Sequence, residues 1–159
     1  MGTTTLERKA GRTKTLPDSI VIYADGASHG NPGLSGAGVV FYDHKGTVLE
    51  EFREYLGETT NNVAEYGAVL LALRKAEERG VRAIVLRSDS EVVVRQLQRR
   101  YKVKSSNLVP LHAEARGRIS KFDSFRAEHV YREKNKRADE LANLAIEDAW
   151  HAWWKKVID

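Results

Sequence analysis

Apolar and polar positions along the chain fall into five short strand-like runs and four stretches of helical spacing. Ile20, Val21, Ile22 and Tyr23 form a β-branched and aromatic run, the mark of a buried strand. The run stops at Asp25-Gly26, and a glycine-rich loop holding Gly30, Asn31 and Pro32 closes at Gly33. Residues 36–43 and 47–56 read as second and third strands around the turn His44-Lys45-Gly46, an antiparallel meander. Thr59, Thr60, Asn61 and Asn62 then offer N-caps for a helix whose apolar positions are Val63, Tyr66, Val69, Leu70, Leu73 and Ala76. It runs to Arg79 and stops at Gly80.

Residues 82–88 form a fourth strand, parallel to a neighbour because a crossover helix precedes it. A helix over 90–100 carries the stripe Val93, Val94 and Leu97, and 101–107 is an irregular connection. Residues 109–122 are helical, with Pro110 suited to the first turn. A fifth strand covers 124–131 and a charged loop 132–136. From Arg137 a long helix turns Leu141, Leu144, Ala145 and Ile146 inward and runs on through the tryptophans. Trp150, Trp153 and Trp154 share one face and are expected to pack on the domain. The order βββ-α-β-α-α-β-α predicts an α/β fold: a mixed five-stranded sheet, three antiparallel strands then parallel crossovers, with helices on its faces.

Composition narrows the function classes. The 159 residues make one domain, with 42% apolar content and no run long enough to cross a membrane. There is no cysteine, which excludes disulfides, a thiolate nucleophile and a Cys-based zinc site. The start of the chain lacks the apolar core of a signal peptide, so a cytoplasmic location is expected. Much of the +4 net charge lies near that start, where Arg8, Lys9, Arg12 and Lys14 face one acid, Glu7. Residues 1–18 read as a flexible basic tail and 19–159 as the domain. Any affinity of the domain for nucleic acid must come from a local patch.

Candidate chemistry comes from four scattered acids. Asp25 and Asp89 end two strands, while Glu65 and Asp139 lie in the first turns of two helices. Each has a plain structural explanation. Strand–Asp–Gly is an ordinary turn, Asn62-x-x-Glu65 and Ser88-x-x-Glu91 have capping-box spacing, and Asp89 or Asp139 could serve a helix start. Taken together they read differently. If the two strands are parallel neighbours, both aspartates emerge at one edge of the sheet, and both helix starts can reach it. Four gathered carboxylates repel one another unless a cation neutralises them. Oxygen ligands without His or Cys favour Mg²⁺ or Mn²⁺, and paired ions about 4 Å apart serve in-line displacement at phosphate. His129, ten residues before Asp139, is either an ordinary half-buried histidine or a proton-transfer group beside the metals.

Four stretches carry a resemblance: DGASHGNPG (residues 25–33), TTNNVAE (59–65), SDS (88–90) and HVYREKNKRADELAN (129–143). With them the chain resembles the type I ribonuclease H family. The resemblance implies the RNase H-like fold and a two-metal endonuclease (two Mg²⁺, with Mn²⁺ as substitute). That activity cuts the RNA strand of RNA–DNA hybrids, leaving 5′-phosphate and 3′-hydroxyl ends. It implies metal-binding roles for Asp25, Glu65, Asp89 and Asp139 and a catalytic role for His129. It further implies hybrid contacts from Gly26, Asn31, Asn61 and Asn62, and a DNA-phosphate contact from Thr60. A-form-like hybrids expose 2′-hydroxyls in a wide, shallow minor groove, which backbone amides and asparagines can test.

The chain departs from many bacterial members in lacking a basic, Trp-rich handle after the second helix; residues 99–111 are short there, as in the handle-less branch. Arg95, Arg99, Arg100, Lys102 and Lys104 still make a basic run, read as a reduced phosphate-contacting patch with Arg95 and Lys102 as substrate contacts. The expected partner is the RNA–DNA hybrid, with double-stranded RNA as a looser second substrate. No membrane partner is expected, and the chain is expected to act as a monomer.

Overall fold

The β-branched run at Ile20–Ile22 lies at the centre of the protein. The computed structural model describes residues 16–158. Its strands are β1 (Ser19–Gly30), β2 (Gly33–Tyr42), β3 (Val48–Thr59), β4 (Ala83–Ser88) and β5 (Ser124–His129). Its helices are α1 (Asn61–Glu78), α2 (Glu91–Leu97), α3 (Val109–Ile119) and α4 (Lys136–Ile158), the last preceded by a 3-10 turn at Arg132–Lys134. The strands form one sheet in the order β3-β2-β1-β4-β5. β1 pairs antiparallel with β2 and parallel with β4; β5 runs parallel to β4. This is the mixed α/β sheet that the pattern predicts.

One expectation needs correction. β1 does not end at Asp25-Gly26, and residues 26–33 are not a loop. The strand continues to Gly30 and pairs with β2 from Gly33 onward, closed by a two-residue turn at Asn31-Pro32. Ladder hydrogen bonds to β2 outweigh the weak strand preference of the glycines. The partnership with β4 does end early, at Tyr23↔Arg87. Asp25 therefore lies just past the point where its parallel neighbour stops. α2 is also shorter than expected, because Arg99 takes a left-handed conformation (φ 64°) two residues beyond its end.

Alternation along the strands divides the core. Ile20, Ile22, Val39 and Phe41 pack under α1, α2 and α3 with Leu70, Leu73, Val93, Leu97 and Ile119. Val40 on the opposite face meets Ala138 and Leu141 of α4, with Tyr23, Tyr42 and Leu144 around them. α4 lies directly on the sheet. A Cβ on Gly38 would stand 2.1 Å from the Ala138 carbonyl oxygen, and one on Gly36 would stand 2.3 Å from that of Ala142.

Leu16 is buried in the main core, and the Asp18 carbonyl accepts from the Arg82 and Ala83 N–H groups. Leu16 and Asp18 are thus tied to the domain, and the rest of the expected tail, 1–15, lies outside the described residues. The tryptophans also depart from expectation. Trp150, Trp153 and Trp154 are 51%, 51% and 48% exposed, and they stack on one another rather than into the core. The last buried residue of α4 is Ile146, and Trp150 and Trp153 share a shallow hollow with Leu34 of β2 and Tyr55 of β3. Among the described residues, no helix is long and apolar enough to cross a membrane.

Candidate active site

The four acids meet because local capping leaves them free. α1 is capped by Thr60, whose hydroxyl accepts from the Val63 N–H at 3.3 Å. Glu65 therefore has no capping-box duty, and its Oε1 accepts from the Gly26 N–H at 2.7 Å. That bond needs a glycine. A Cβ at residue 26 would lie 2.3 Å from the Ala64 carbonyl carbon and oxygen, so only a bare backbone lets α1 come this close to β1. Ser90 caps α2, accepting from the Val93 N–H, which leaves Asp89 unused at the end of β4. Asp139 sits in the first turn of α4.

Carboxylate oxygens of Asp25, Glu65 and Asp89 all lie within 4.8 Å of one another. Asp139 lines the same cleft, of about 420 Å³, as a fourth carboxylate near Asp25. Burial, then the charges of Glu65 and Asp89, then Asp139, push the Asp25 carboxyl far above the usual carboxylate range. Burial also raises Glu65, against the Gly26 hydrogen bond and the charge of Arg132, which both lower it. An all-oxygen donor set of this density fits a hard divalent cation, held by Asp25, Glu65 and Asp89 with Asp139 beside them.

Supporting residues fix the start of α4. Asn135 is buried and donates from Nδ2 to the Ala24 carbonyl at 3.0 Å, tying the helix start to β1 one residue before Asp25. Asn143 donates to Asp139 Oδ1 at 3.3 Å, and its own Oδ1 lies 2.7 Å from His29 Nε2. Since Asn143 Nδ2 serves Asp139, the His29 nitrogen is the donor in that pair. Arg132, in the 3-10 turn, is the only Lys or Arg among the described residues lining the cleft. His29, Arg132, Asn135 and Asn143 escaped the sequence reading. His29 lay inside the presumed glycine loop, and nothing in the charged run 132–137 distinguishes Arg132 from Lys134, Lys136 or Arg137.

Beside the cleft is a second hollow, of about 520 Å³, lined by Asn31, Thr60, Asn61, Asn62, Ser105 and Asn107. The Asn61 N–H donates to Asn31 Oδ1 at 2.9 Å, pinning the hairpin turn to the start of α1. Gly26 and Asn61 also line the cleft itself. Three expected site residues lie elsewhere. His129 pairs with Ser88 across the β4–β5 ladder, packs edge-on to Tyr131 and does not line the cleft. Arg95 is bonded to Gln98 and paired with Glu91 within α2. Lys102 is exposed and lines neither hollow.

A sheet in this order, with carboxylates where β1 and β4 part and at two helix starts, defines a protein of the ribonuclease H fold. The family model described as Reverse transcriptase-like matches residues 23–145. The chain belongs to the ribonuclease H family, among its RNase HI-like members. It is 40% identical over 127 residues to a ribonuclease HI of Halobacterium salinarum, covering 80% of this chain and 64% of that protein. A bifunctional protein of Mycobacterium tuberculosis is 42% identical over 132 residues, 82% of this chain and 36% of that protein. The chain thus spans little more than a third of the mycobacterial relative and under two thirds of the halobacterial one. The crystal structure of LC11-RNase H1 in complex with an RNA/DNA hybrid superposes with a TM-score of 0.79 at 44% identity, covering 82% of this chain and 99% of that one.

Proposed function

We propose that the chain is a metal-dependent endonuclease that hydrolyses the RNA strand of RNA–DNA hybrids. The observation that carries the reading is the convergence of Asp25, Glu65 and Asp89, with Asp139, beside a hollow rich in asparagine and threonine. The hybrid held by LC11-RNase H1 supports the choice of substrate.

In the proposed mechanism Asp25, Glu65, Asp89 and Asp139 would hold two divalent ions, Mg²⁺ or Mn²⁺, which would supply Lewis-acid activation of water and charge neutralisation at the departing 3′ oxygen. The chain's own groups do the rest. Gly26 and Asn61, with Asn31 and Asn62 beside them, bring an open backbone edge and side-chain amides to the 2′-hydroxyls of the minor groove. Thr60 receives a phosphate of the DNA strand. His29 and Asn143 hold the Asp139 carboxylate in one orientation. Arg132 places a permanent positive charge beside the scissile phosphate, and His129, at the end of β5, serves proton transfer from outside the cleft lining. Arg95 and Lys102 make outer phosphate contacts. The products carry 5′-phosphate and 3′-hydroxyl ends.

All four carboxylates come from one chain, which supports the monomer as the active unit. A cytoplasmic location completes the proposed reading. The test is gel cleavage of matched RNA–DNA, RNA–RNA and DNA–DNA duplexes with Mg²⁺, Mn²⁺ or EDTA. Metal-dependent cutting of RNA in the hybrid is expected, with slower cutting of RNA–RNA and none of DNA–DNA. A hybrid left intact under every metal condition refutes the proposal.

A further inference from the structure

A cavity of about 460 Å³ lies between α2, α3 and the outer strand β5, sharing no lining residue with the acid cleft or the asparagine hollow. Its apolar floor is Leu97, Ile119, Phe125 and Ala127, and Arg99 and Arg116 stand at its rim. Three independent features mark these two arginines. Arg99 is the only non-glycine residue at positive φ among the described residues, a conformation that a side chain with a Cβ adopts at a cost. Arg116 donates from Nη1 to the Leu97 carbonyl at 2.9 Å, yet its Nε is buried without a partner. Neither arginine forms an ion pair within the described residues, although Arg82, Arg87, Arg118 and Arg126 each have a carboxylate. The acid that also lines this cavity, Glu128, is already held by Arg87 and Arg126. Burial, then the charge of Arg99, lowers the Arg116 pKa, in keeping with two like charges in one cavity.

Two guanidiniums without an acid of their own suit a phosphate, whose oxygens match the planar fork. The floor adds a flat apolar surface with one aromatic ring, suited to a base. The volume falls within the range of small-molecule sites. We propose that this cavity binds a nucleotide, with its phosphate on Arg99 and Arg116 and its base over Phe125.

The test uses the whole chain in EDTA, so that no metal can draw phosphate to the acid cleft. Thermal unfolding and amide NMR are recorded with adenosine 5′-monophosphate and with inorganic phosphate. The nucleotide should raise the wild-type melting temperature by about 5 °C or more at a hundred times its dissociation constant. Amide shifts should centre on residues 97–99, 116–119 and 125–127. Arg99→Gly suits the left-handed backbone and removes a repulsive charge, so it should melt no lower than wild type, yet gain nothing from the nucleotide. Arg116→Lys keeps the charge but loses the fork, and should bind about tenfold more weakly. A wild type that the nucleotide does not stabilise overturns the proposal. So does an Arg99→Gly variant stabilised as much as wild type, or inorganic phosphate acting as strongly as the nucleotide.

Discussion

The Gly26 N–H donates to the Glu65 carboxylate at 2.7 Å, joining the central strand to the second turn of α1 across 39 residues of chain. Glu65 is therefore positioned by backbone and cannot swing away from Asp25 without breaking that bond. Replacing Gly26 with Ala puts a Cβ 2.3 Å from the Ala64 carbonyl. Since that neighbour is helix backbone, α1 must move. The variant should lose about 2–4 kcal/mol of stability in urea unfolding and all metal-dependent cleavage. A folded, active Gly26→Ala protein would show that the helix can retreat without harm to the site.

Asp25 is the most buried of the four acids and stands among three like charges. Asp25→Asn removes that repulsion while keeping the shape. It should abolish cleavage and, in EDTA at neutral pH, raise the melting temperature by a few degrees, the opposite of most core changes. Asp89→Asn should also abolish cleavage, with a smaller thermal gain. A lowered melting temperature for Asp25→Asn would contradict the electrostatic account of the cluster.

Burial and neighbouring carboxylates raise both Asp25 and Glu65 above the ordinary range near pH 4. In metal-free protein the folded state then holds protons that the unfolded chain has released. Their stabilising effect is complete below about pH 4 and is lost as pH rises through the raised values. The melting temperature in EDTA should fall between pH 6 and pH 9, and saturating Mg²⁺ should abolish the fall. A flat profile in EDTA would contradict the raised values.

Arg132 lines the cleft and lowers Glu65, whereas His129 packs on Tyr131 outside it. Arg132→Ala should reduce kcat by about 100-fold, the low end of the range seen when a charge-stabilising donor is lost. His129→Ala should cost less than about tenfold, with its effect confined to one limb of the pH–rate profile. The reverse ranking would make His129 the principal group.

The mixed sheet, the helix faces and the four acids were legible because each has a local signature: β-branched runs, apolar residues at helical spacing, and acids just after strands or near helix caps, whereas the strand order itself came only from the structure. What was not legible depended on distant partners. A glycine-rich strand looks like a loop until β2 satisfies its backbone, so β1 was cut short at Asp25. Asn135 and Asn143 are ordinary polar residues near a helix start, and only the position of Ala24, Asp139 and His29 in space gives them tasks. The tryptophan stripe follows the helical period faithfully, but periodicity cannot tell how completely a helix face is covered.

Gly36 and Gly38 also set a tolerance. Contact between two elements usually runs through side chains, which can change rotamer and absorb strain. Here the backbone of α4 rests on the backbone of β2, a joint with no adjustable part. The height of Asp139 above the sheet is thus a constant of the fold, indifferent to repacking elsewhere in the core. A protein built this way can accept wide changes in its helices and surfaces while its acid cluster keeps the same spacing. A single methyl group on either glycine would move the cluster more than a rearranged core.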